Sequence, residues 1–343
     1  MLRQKKRQRK IGRKMSNSHI IEVEHLVKSY RDLVAVNDIS FSVDQGEVFG
    51  LLGPNGAGKT TVINTLCTLS KPTSGRALIN GFDTIHQQNQ VRQCIGLVFQ
   101  DPSLDERLTA LENLQFHCLV YNIPASVRKE RIEQVLRMVE LWERRRDIVK
   151  TFSGGMKRRL ELARGLIHRP KVLFLDEPTL GLDPQTRNRL WDFILDLRQR
   201  EGTTIFLTTH YMDEAEYADH IAVMDYGKII ALDSPKRLKN TVGGDMISLS
   251  TVDDQKAQAE LQKRYHTKAK CDGGQVTFEI DNGERFIPTL IKEFDTDILS
   301  ISLRRPTLED VFLKLTGHRL RDEAVKNGLK EMVRRHGRHQ MRH

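Results

Sequence analysis

The first part of the chain alternates between apolar and polar positions with a period of two. Residues 20–30 and 34–43 follow this alternation, a polar turn occupies 44–47, and a continuous apolar run follows at 48–52. Alternation of this kind is typical of half-buried strands, and a short apolar run bounded by turns indicates a buried strand. The opening of the chain is therefore predicted to be β-structure.

From residue 61 onward, helical patterns alternate with short apolar runs. Between 108 and 149 the apolar positions recur about every 3.6 residues, which predicts an inserted helical block. Buried strands that alternate with helices predict an α/β fold whose mostly parallel sheet is covered on both faces. Helices are predicted at 61–69, 154–168 and 184–200, and strands at 76–80, 95–99, 171–177, 204–209, 221–224 and 228–232.

Beyond about residue 240 the order of the elements changes to strand, helix, hairpin, helix, strand and closing helix. The hairpin is predicted to turn at 272–274, where an aspartate precedes two glycines. This order predicts a small ferredoxin-like domain. The six parts lie at 246–252, 255–265, 267–280, 285–294, 298–303 and 308–315.

The net charge of +10 is concentrated at the two ends of the chain. Residues 1–14 contribute +8 and residues 317–343 contribute +5, which leaves −3 for the body between them. The basic leader 1–14 and the basic tail 318–343 are therefore predicted to be disordered and solvated. Contact with anionic lipid or RNA is the alternative. Because Met15 precedes the first strand pattern, we expect the leader to be dispensable.

Apolar runs and cysteines favour a cytoplasmic protein. Runs such as 172–175 and 229–232 are far shorter than the roughly 18 residues that a membrane-spanning helix needs. No apolar segment follows the basic leader, so a secretory signal is not expected. The four cysteines show no C-x-x-C spacing, which argues against a zinc site or a disulfide framework.

Residues 53–60 fit the pattern G-x-x-x-x-G-K-[ST] between a predicted strand and a predicted helix. The glycines let successive backbone N–H groups turn toward phosphate oxygens, and the helix N-terminus adds a positive dipole. Lys59 supplies a charge for the β- and γ-phosphates, and Thr60 offers its hydroxyl to a magnesium ion. The sequence thus predicts that ATP is bound by Gly53, Pro54, Asn55, Gly56, Ala57, Gly58, Lys59, Thr60 and Thr61.

A pair of acids closes the apolar run that ends at Leu175. Hydrolysis of a phosphate bond needs phosphate donors, a metal ion and a group that orients or deprotonates the attacking water. Asp176 is therefore the expected magnesium ligand beside Thr60, and Glu177 is the expected general base. The alternative is that the two acids only cap and solvate the strand.

Five motifs follow one another along the chain: the P-loop, Gln100 at a strand end, Ser153-Gly154-Gly155-Met156, Asp176-Glu177 and His210. In this order they resemble the motifs of the ATP-binding subunit of an ATP-binding cassette (ABC) transporter, over about residues 20–239. Residues 305–317 resemble the closing segment of the daunorubicin-resistance type of exporter ATPase. Phe152 and Met156 depart from the commoner L-S-G-G-Q signature, although that branch often carries Met.

This resemblance implies a fold and domain boundaries. The expected core is a RecA-like P-loop NTPase of the ABC ATPase type at residues 15–240. It would contain an N-terminal antiparallel β subdomain and an inserted helical subdomain at about 103–152. A C-terminal α+β domain is expected at 241–317.

The resemblance also implies roles for residues outside the P-loop. Gln100 would sense the γ-phosphate and bind the metal, His210 would contact the γ-phosphate, and Tyr30 would stack on adenine. An ordinary structural position is the alternative for each of these three. Asp183 would cross the interface to a partner chain, or only cap the following helix. A second phosphate site, which serves the partner's nucleotide, would be formed by Ser153, Gly154, Gly155 and Met156.

Two phosphate sites in one chain imply a head-to-tail homodimer or pseudo-dimer. The implied function is an ATPase, peripheral on the inner face of the membrane, that powers export of a drug, lipid or other amphiphile through a separate membrane permease. The alternatives are an ABC-type ATPase acting on nucleic acid or the ribosome, and a nucleotide kinase. Only 52 residues separate Gln100 from Ser153, without sustained heptads, which disfavours a chromosome or repair protein. No specific nucleic acid is expected, and the sequence leaves the cargo open.

Overall fold

The computed structural model describes residues 19–100, 103–272 and 274–317. The predictions for the leader 1–14 and the tail 318–343 lie outside the described residues, as does Gly273 of the hairpin turn. The chain divides into two compact units. Within the described residues, the first unit contains 19–51, 56–209 and 226–229, and the second contains 52–55, 210–225 and 230–317.

The first unit combines two sheets with a helical block. The block also contains two short 3₁₀ turns, Trp142–Arg144 and Val149–Thr151. In chain order its elements are β1 (His19–Tyr30), β2 (Leu33–Asp44), β3 (Val48–Leu52), α1 (Lys59–Leu66), β4 (Ser74–Ile79), β5 (Phe82–Asp83), α2 (Gln88–Cys94), β6 (Ile95–Val98), α3 (Ala110–Val120), α4 (Ala125–Met138), α5 (Gly154–Leu166), β7 (Val172–Asp176), α6 (Pro184–Glu201) and β8 (Thr204–Thr209).

Four strands form an antiparallel sheet in the order β2-β1-β4-β5. The register places Val23 beside Phe41 on one side and beside Ala77 on the other, and all three side chains are buried. An irregularity in the pairing between Val23 and Leu26 accommodates His25, whose φ is 49°. The predicted N-terminal β subdomain is confirmed, and β5 was missed because a two-residue strand shows no alternation.

The strands that lead to the predicted site belong to a second sheet, which has the order β3-β8-β7-β6 within the first unit. β6, β7 and β8 run parallel, with Val98 beside Leu175 and Leu175 beside Leu207. Every residue of β7 and β8 is buried. Parallel strands bring their carboxyl ends to one edge, so Gln100 after β6 and Asp176 at the end of β7 lie at the same edge of this sheet.

An aromatic cluster forms the core between these two sheets. Phe41 of β2 stacks on Phe49 of β3 with ring centroids 5.2 Å apart, and Phe49 stacks on Phe206 of β8 at 5.4 Å. Phe174 of β7 packs against Phe206 at 5.2 Å. Such pairs each contribute about 0.5–1.5 kcal/mol beyond the area that they bury. The strand that carries the paired acids is thus held by a rigid core.

The inserted helical block is confirmed as α3 and α4, which pack against each other and against α5. α3 begins with a capping box, because the Thr109 hydroxyl accepts from the Glu112 amide at 3.2 Å and the Glu112 carboxylate accepts from the Thr109 amide at 2.8 Å. Pro124 at the N-cap of α4 separates the two helices.

Two helices of the first unit, α1 and α2, differ most clearly from the sequence prediction. α1 begins at Lys59 instead of residue 61, because Gly58 caps it with a φ of 105°. It ends at Leu66 instead of residue 69, and Thr68 beyond it has a left-handed φ of 64°. α2 was not predicted because Val91 is its one buried residue, which leaves no helical repeat of apolar positions.

The second unit contains the predicted ferredoxin-like arrangement. Its elements are α7 (Met212–Ala215), β9 (His220–Asp225), β10 (Lys228–Asp233, of which 230–233 belong to this unit), α8 (Pro235–Asn240), β11 (Asp245–Thr251), α9 (Asp254–Tyr265), β12 (Lys270–Asp272), β13 (Gln275–Ile280), α10 (Gly283–Glu293), β14 (Ile298–Arg304) and α11 (Leu308–Thr316). The antiparallel sheet has the order β12-β13-β11-β14, and its core includes Ile247, Phe278 and Leu290. α7 and α8 were not predicted because they have only four and six residues.

Candidate active site

The second half of the P-loop turns directly into α1. Gly56 and Gly58 have φ values of 87° and 105°, which side chains of L-residues rarely adopt. A Cβ atom at Gly56 would meet nothing within 4 Å, so glycine is required there by the backbone angle and not by lack of space. Lys59 and Thr60 open the helix at its positive end. Gly53, Pro54 and Asn55, the first half of the loop, belong to the second unit.

Lys59 lies against the paired acids. Its Nζ is 3.5 Å from Oε1 of Glu177, and both side chains are buried, with 5% and 8% of their surface exposed. Burial lowers the pKa of Lys59, and the carboxylates of Glu177 and Asp176 oppose that decrease. The ammonium group is therefore poorly hydrated, and its charge is paired with the carboxylate of Glu177.

Asp176 is held by two hydroxyl groups. Oγ1 of Thr208 donates to Oδ1 of Asp176 at 2.5 Å, and Oγ1 of Thr60 donates to the same oxygen at 3.3 Å. Burial raises the pKa of Asp176, while the bonds from Thr208 and Thr60 act in the opposite direction. Burial, together with the nearby charge of Asp176, also raises the pKa of the Cys67 thiol well above its usual value. The pattern alone did not indicate Thr208, although it is the last residue but one of β8, the strand parallel to β7.

Glu177 has an unusual backbone conformation. Its φ is 45°, in the left-handed region that costs a residue other than glycine about 1–3 kcal/mol. Its amide donates both to the carbonyl oxygen of Thr208 at 3.2 Å and to the hydroxyl of Thr208 at 3.1 Å. These bonds fix the direction in which the side chain leaves the strand. Strain of this kind is frequent at active sites, although it does not identify one by itself.

Ser153 caps α5 as predicted, because its side chain accepts from the amide of Met156 at 3.3 Å. Ser153 and Gly154 are exposed, whereas Gly155 packs closely: a Cβ atom there would lie 2.6 Å from Cγ2 of Thr186. Asp183 caps α6, and its carboxylate accepts from the Thr186 amide at 3.0 Å. Hydrogen bonds from Thr186 lower the pKa of Asp183. The starts of α5 and α6 therefore meet at Thr186.

The remaining predicted residues lie at the ends of strands. Gln100 follows β6 and is exposed. Tyr30 ends β1 with 46% of its surface exposed, and Nζ of Lys28 lies 4.6 Å from the centre of its ring. His210 follows β8, packs against Tyr211 with ring centroids 4.1 Å apart, and belongs to the second unit. Direct contacts thus join Lys59 to Glu177 and Thr60 to Asp176, while the placements of Tyr30, Gln100 and His210 leave their roles as predictions.

No helix among residues 19–100, 103–272 and 274–317 is both long and apolar enough to cross a bilayer.

Comparison with known proteins identifies relatives over most of the chain. Residues 36–180 match the ABC transporter family, and residues 234–316 match the C-terminal domain of DrrA1-3-like ATP-binding proteins. The linearmycin resistance ATP-binding protein LnrL of Bacillus subtilis (strain 168) is 36% identical over 313 residues, which are 88% of this chain and 100% of that protein. The daunorubicin/doxorubicin resistance ATP-binding protein DrrA of Streptomyces peucetius is 37% identical over 321 residues, 91% of this chain and 96% of that one.

A solved structure shares the fold of the cassette. The dimeric structure of the ATP-binding cassette MJ0796, in a post-hydrolysis state bound to ADP and Pi, has a TM-score of 0.58 at 26% identity. The match covers 62% of this chain and 98% of that one. Together with the P-loop that contacts two buried acids, these similarities confirm the predicted family and its ATPase activity. The chain therefore belongs to the family of ABC transporter ATP-binding subunits, in the branch that has a DrrA-like C-terminal domain.

Proposed function

We propose that this ATPase powers the export of a drug, lipid or other amphiphile through a separate membrane permease. The names of LnrL and DrrA refer to resistance to linearmycin and to daunorubicin and doxorubicin, which supports an amphiphilic cargo. Neither name refers to nucleic acid or the ribosome. The observation that carries the proposal is the contact of the P-loop lysine and threonine with the acids that end β7. In this proposal the chain works in the cytoplasm, bound peripherally to the inner face of the membrane.

The proposed chemistry assigns one task to each buried group. Lys59 would bind the β- and γ-phosphates, because an ammonium group forms charge-assisted hydrogen bonds with anionic oxygens. Glu177 would take a proton from the attacking water, and Gln100 and His210 would orient groups around the γ-phosphate. Tyr30 would stack on adenine with its exposed ring face. The left-handed backbone conformation of Glu177 would hold its carboxylate in the same orientation in every turnover.

The donor set beside the P-loop fits a magnesium ion. Thr60 and Asp176 place a hydroxyl and a carboxylate oxygen 3.3 Å apart, and magnesium typically takes one or two protein oxygens and completes its shell with phosphates and water. Among the described residues, no group of three or more His, Cys, Asp or Glu side chains forms a metal site, which agrees with an ion shared with the nucleotide. When bound, magnesium would neutralise phosphate charge, with Gln100 as a further ligand.

A head-to-tail dimer would complete the site. The ABC cassette MJ0796 forms a dimer in its post-hydrolysis structure. In this chain, the exposed hydroxyl and amides of Ser153 and Gly154 open α5, where a helix N-terminus favours an anion. We assign Ser153, Gly154, Gly155 and Met156 to the nucleotide bound by the partner chain, and Asp183 to the interface.

The permease is proposed to dock at a cleft between α3 and the second sheet. The cleft has a volume of about 560 Å³, and its lining combines apolar side chains such as Leu69, Phe99 and Val120 with polar and basic ones such as Asn89 and Arg92. Beside it, α3 exposes Phe116 and Leu119 to 60% and 56%. Adjacent exposed apolar side chains of this size are typical of a protein interface. A cytoplasmic loop of the permease with an apolar face would fit this surface.

The docking test uses a charge at the centre of the apolar face. Leu119→Asp should lose co-purification with the permease, while keeping the basal ATPase rate, because a carboxylate in a desolvated interface is costly. Leu299→Asp is the matched control, since Leu299 is also a largely exposed leucine, at 67% against 56% for Leu119, and lies on β14 of the C-terminal domain. Retained co-purification of Leu119→Asp would contradict this docking site.

A further inference from the structure

A buried guanidinium lies behind the acids of the site, on the helix that begins after the signature serine. Arg158 of α5 is 6% exposed. Its Nε donates to the carbonyl oxygen of Pro178 at 2.6 Å. Its Nη2 donates to the carbonyl oxygens of Asp176 and Glu177 at 3.2 and 3.3 Å. One side chain therefore holds three consecutive carbonyl groups of the turn that follows β7.

The same side chain also reaches the strand that leads to Gln100. Nη1 of Arg158 donates to the carbonyl oxygen of Phe99, the residue before Gln100, and to Oε2 of Glu161 at 3.0 Å. Together with the three bonds to the turn, these contacts match the five N–H donors of a guanidinium. Glu161 is fully buried and supplies the opposite charge, so the buried cation is paired.

Arg158 holds the backbone on both sides of the strained residue. Glu177 has its φ at 45°, and the carbonyls that Arg158 binds precede and follow that angle. A strained conformation persists only where its surroundings enforce it. A lysine could not replace this contact set, because its single ammonium lacks the planar fork that bonds carbonyls in several directions.

We infer that Arg158 is a positioning residue for ATP hydrolysis, which fixes the backbone of Glu177 and of the residue before Gln100 from the signature helix. This inference rests on the roles proposed above for Glu177 and Gln100. Because α5 starts just after Ser153, a nucleotide on the partner chain that contacts Ser153 would also act on the helix that sets Glu177 in this chain. The two sites of a dimer would thereby influence each other's hydrolysis.

The test compares Arg158→Lys with Arg159→Lys in the full chain. Arg159 is the matched control, because its guanidinium donates to the Val139 carbonyl at 3.1 Å and to Glu140 at 3.0 Å, in the helical block. Single-turnover hydrolysis of radiolabelled ATP and equilibrium binding of a fluorescent ATP analogue are measured for both. Arg158→Lys should lower hydrolysis by about tenfold or more and change affinity by less than about threefold, whereas Arg159→Lys should change both by less than about threefold.

The same substitution is then made in a Glu177→Gln chain. The hydrolysis that depends on the Glu177 carboxylate is already absent there, so displacing residue 177 should have little further effect on the rate. Arg158→Lys should reduce the residual hydrolysis there by less than about twofold, since residues acting as a unit are not additive. An equal reduction in both backgrounds, or no reduction in the parental chain, would overturn the inference. Near-parental hydrolysis by Glu177→Gln alone would instead show that the proposed base is wrong.

Protein folding is monitored by the melting temperature of each variant. If Arg158→Lys does not fold, Arg158→Gln is used instead, because Glu161 then stays paired with the buried Arg164 at 4.0 Å. This variant should show the same loss of hydrolysis with retained binding. Parental hydrolysis by Arg158→Gln would overturn the inference equally.

Discussion

Replacing Thr208 by valine should weaken both the fold and the chemistry. Valine has nearly the same shape as threonine, but the change removes the hydroxyl that donates to Asp176 at 2.5 Å and accepts from the Glu177 amide at 3.1 Å. A hydrogen bond to a charged group contributes about 1.5–3 kcal/mol. The Glu177 amide keeps its bond to the Thr208 carbonyl at 3.2 Å, so this second loss should be only about 0.5 kcal/mol.

The sum is a loss of about 2–3.5 kcal/mol in the free energy of unfolding. Urea denaturation without nucleotide and with magnesium chelated measures this loss. Hydrolysis should fall about tenfold to a hundredfold, because small displacements of catalytic groups have large effects on rate. Thr208→Ser keeps the hydroxyl and should recover most of the hydrolysis, at a stability cost of about 1 kcal/mol for the lost methyl group.

The matched control is Thr204→Val in the same buried strand. The Thr204 hydroxyl accepts from the Gly46 amide at 2.9 Å and bonds no acid of the site. This change should lower stability by about 1–3 kcal/mol, because it leaves a partly buried amide without its acceptor, but hydrolysis should stay within about threefold of the parental rate. Equal losses of hydrolysis in the Thr204 and Thr208 variants, or an unchanged rate in Thr208→Val, would refute the reasoning.

Two further predictions concern packing and pH. Gly155→Ala should destabilise the chain by about 1–3 kcal/mol in urea denaturation, because the new Cβ would lie 2.6 Å from Cγ2 of Thr186. Adding Thr186→Ser removes that methyl group and should restore most of the lost stability. No loss of stability in Gly155→Ala, or no rescue by Thr186→Ser, would contradict the packing. Burial lowers the pKa of His117 to about 4, so the folded chain binds a proton at this residue less readily than the unfolded chain. The free energy of unfolding therefore decreases as the pH falls from about 6.5 toward 4. His117→Gln should therefore show a shallower loss of stability between pH 7 and pH 5, and an NMR titration of His117 near pH 6.5 would contradict this.

The sequence was most informative where all the residues that a feature needs lie in one short segment. The P-loop needs two glycines with positive φ, a lysine and a threonine in consecutive positions, and Gly56 to Thr60 show all of them. The position of Asp176 was predictable because an apolar run ends there, and parallel strands bring such ends to one edge of the sheet. The period-two and 3.6-residue patterns likewise predicted both sheets and the helical block.

The rest of the site depends on residues that meet only after folding. Arg158 contacts the turn at 176–178 and the carbonyl of Phe99, which lies 59 positions away along the chain, and no local pattern encodes that meeting. In the sequence Thr208 is an ordinary strand residue, and only the register between β7 and β8 places it beside Asp176. The sequence also does not predict the left-handed φ of Glu177, because glutamate does not favour that backbone conformation.

The central claim is that Glu177 is the base whose action ends the nucleotide-bound dimer. Glu177→Gln keeps the shape of the side chain and removes the base, so ATP should still bind, close the dimer and persist. Lys59→Ala should instead weaken ATP binding by about tenfold or more, because a charge-assisted contact of about 1.5–3 kcal/mol is lost.

Size-exclusion chromatography with Mg-ATP, together with the rate of ATP hydrolysis, tests this claim most directly. Glu177→Gln should elute as a stable dimer with hydrolysis lowered by about a hundredfold or more, in the range that a positioned general base contributes. Lys59→Ala should remain monomeric at the same ATP concentration. Near-parental hydrolysis by Glu177→Gln would contradict the assignment of Glu177 as the base and of this strand end as the catalytic one.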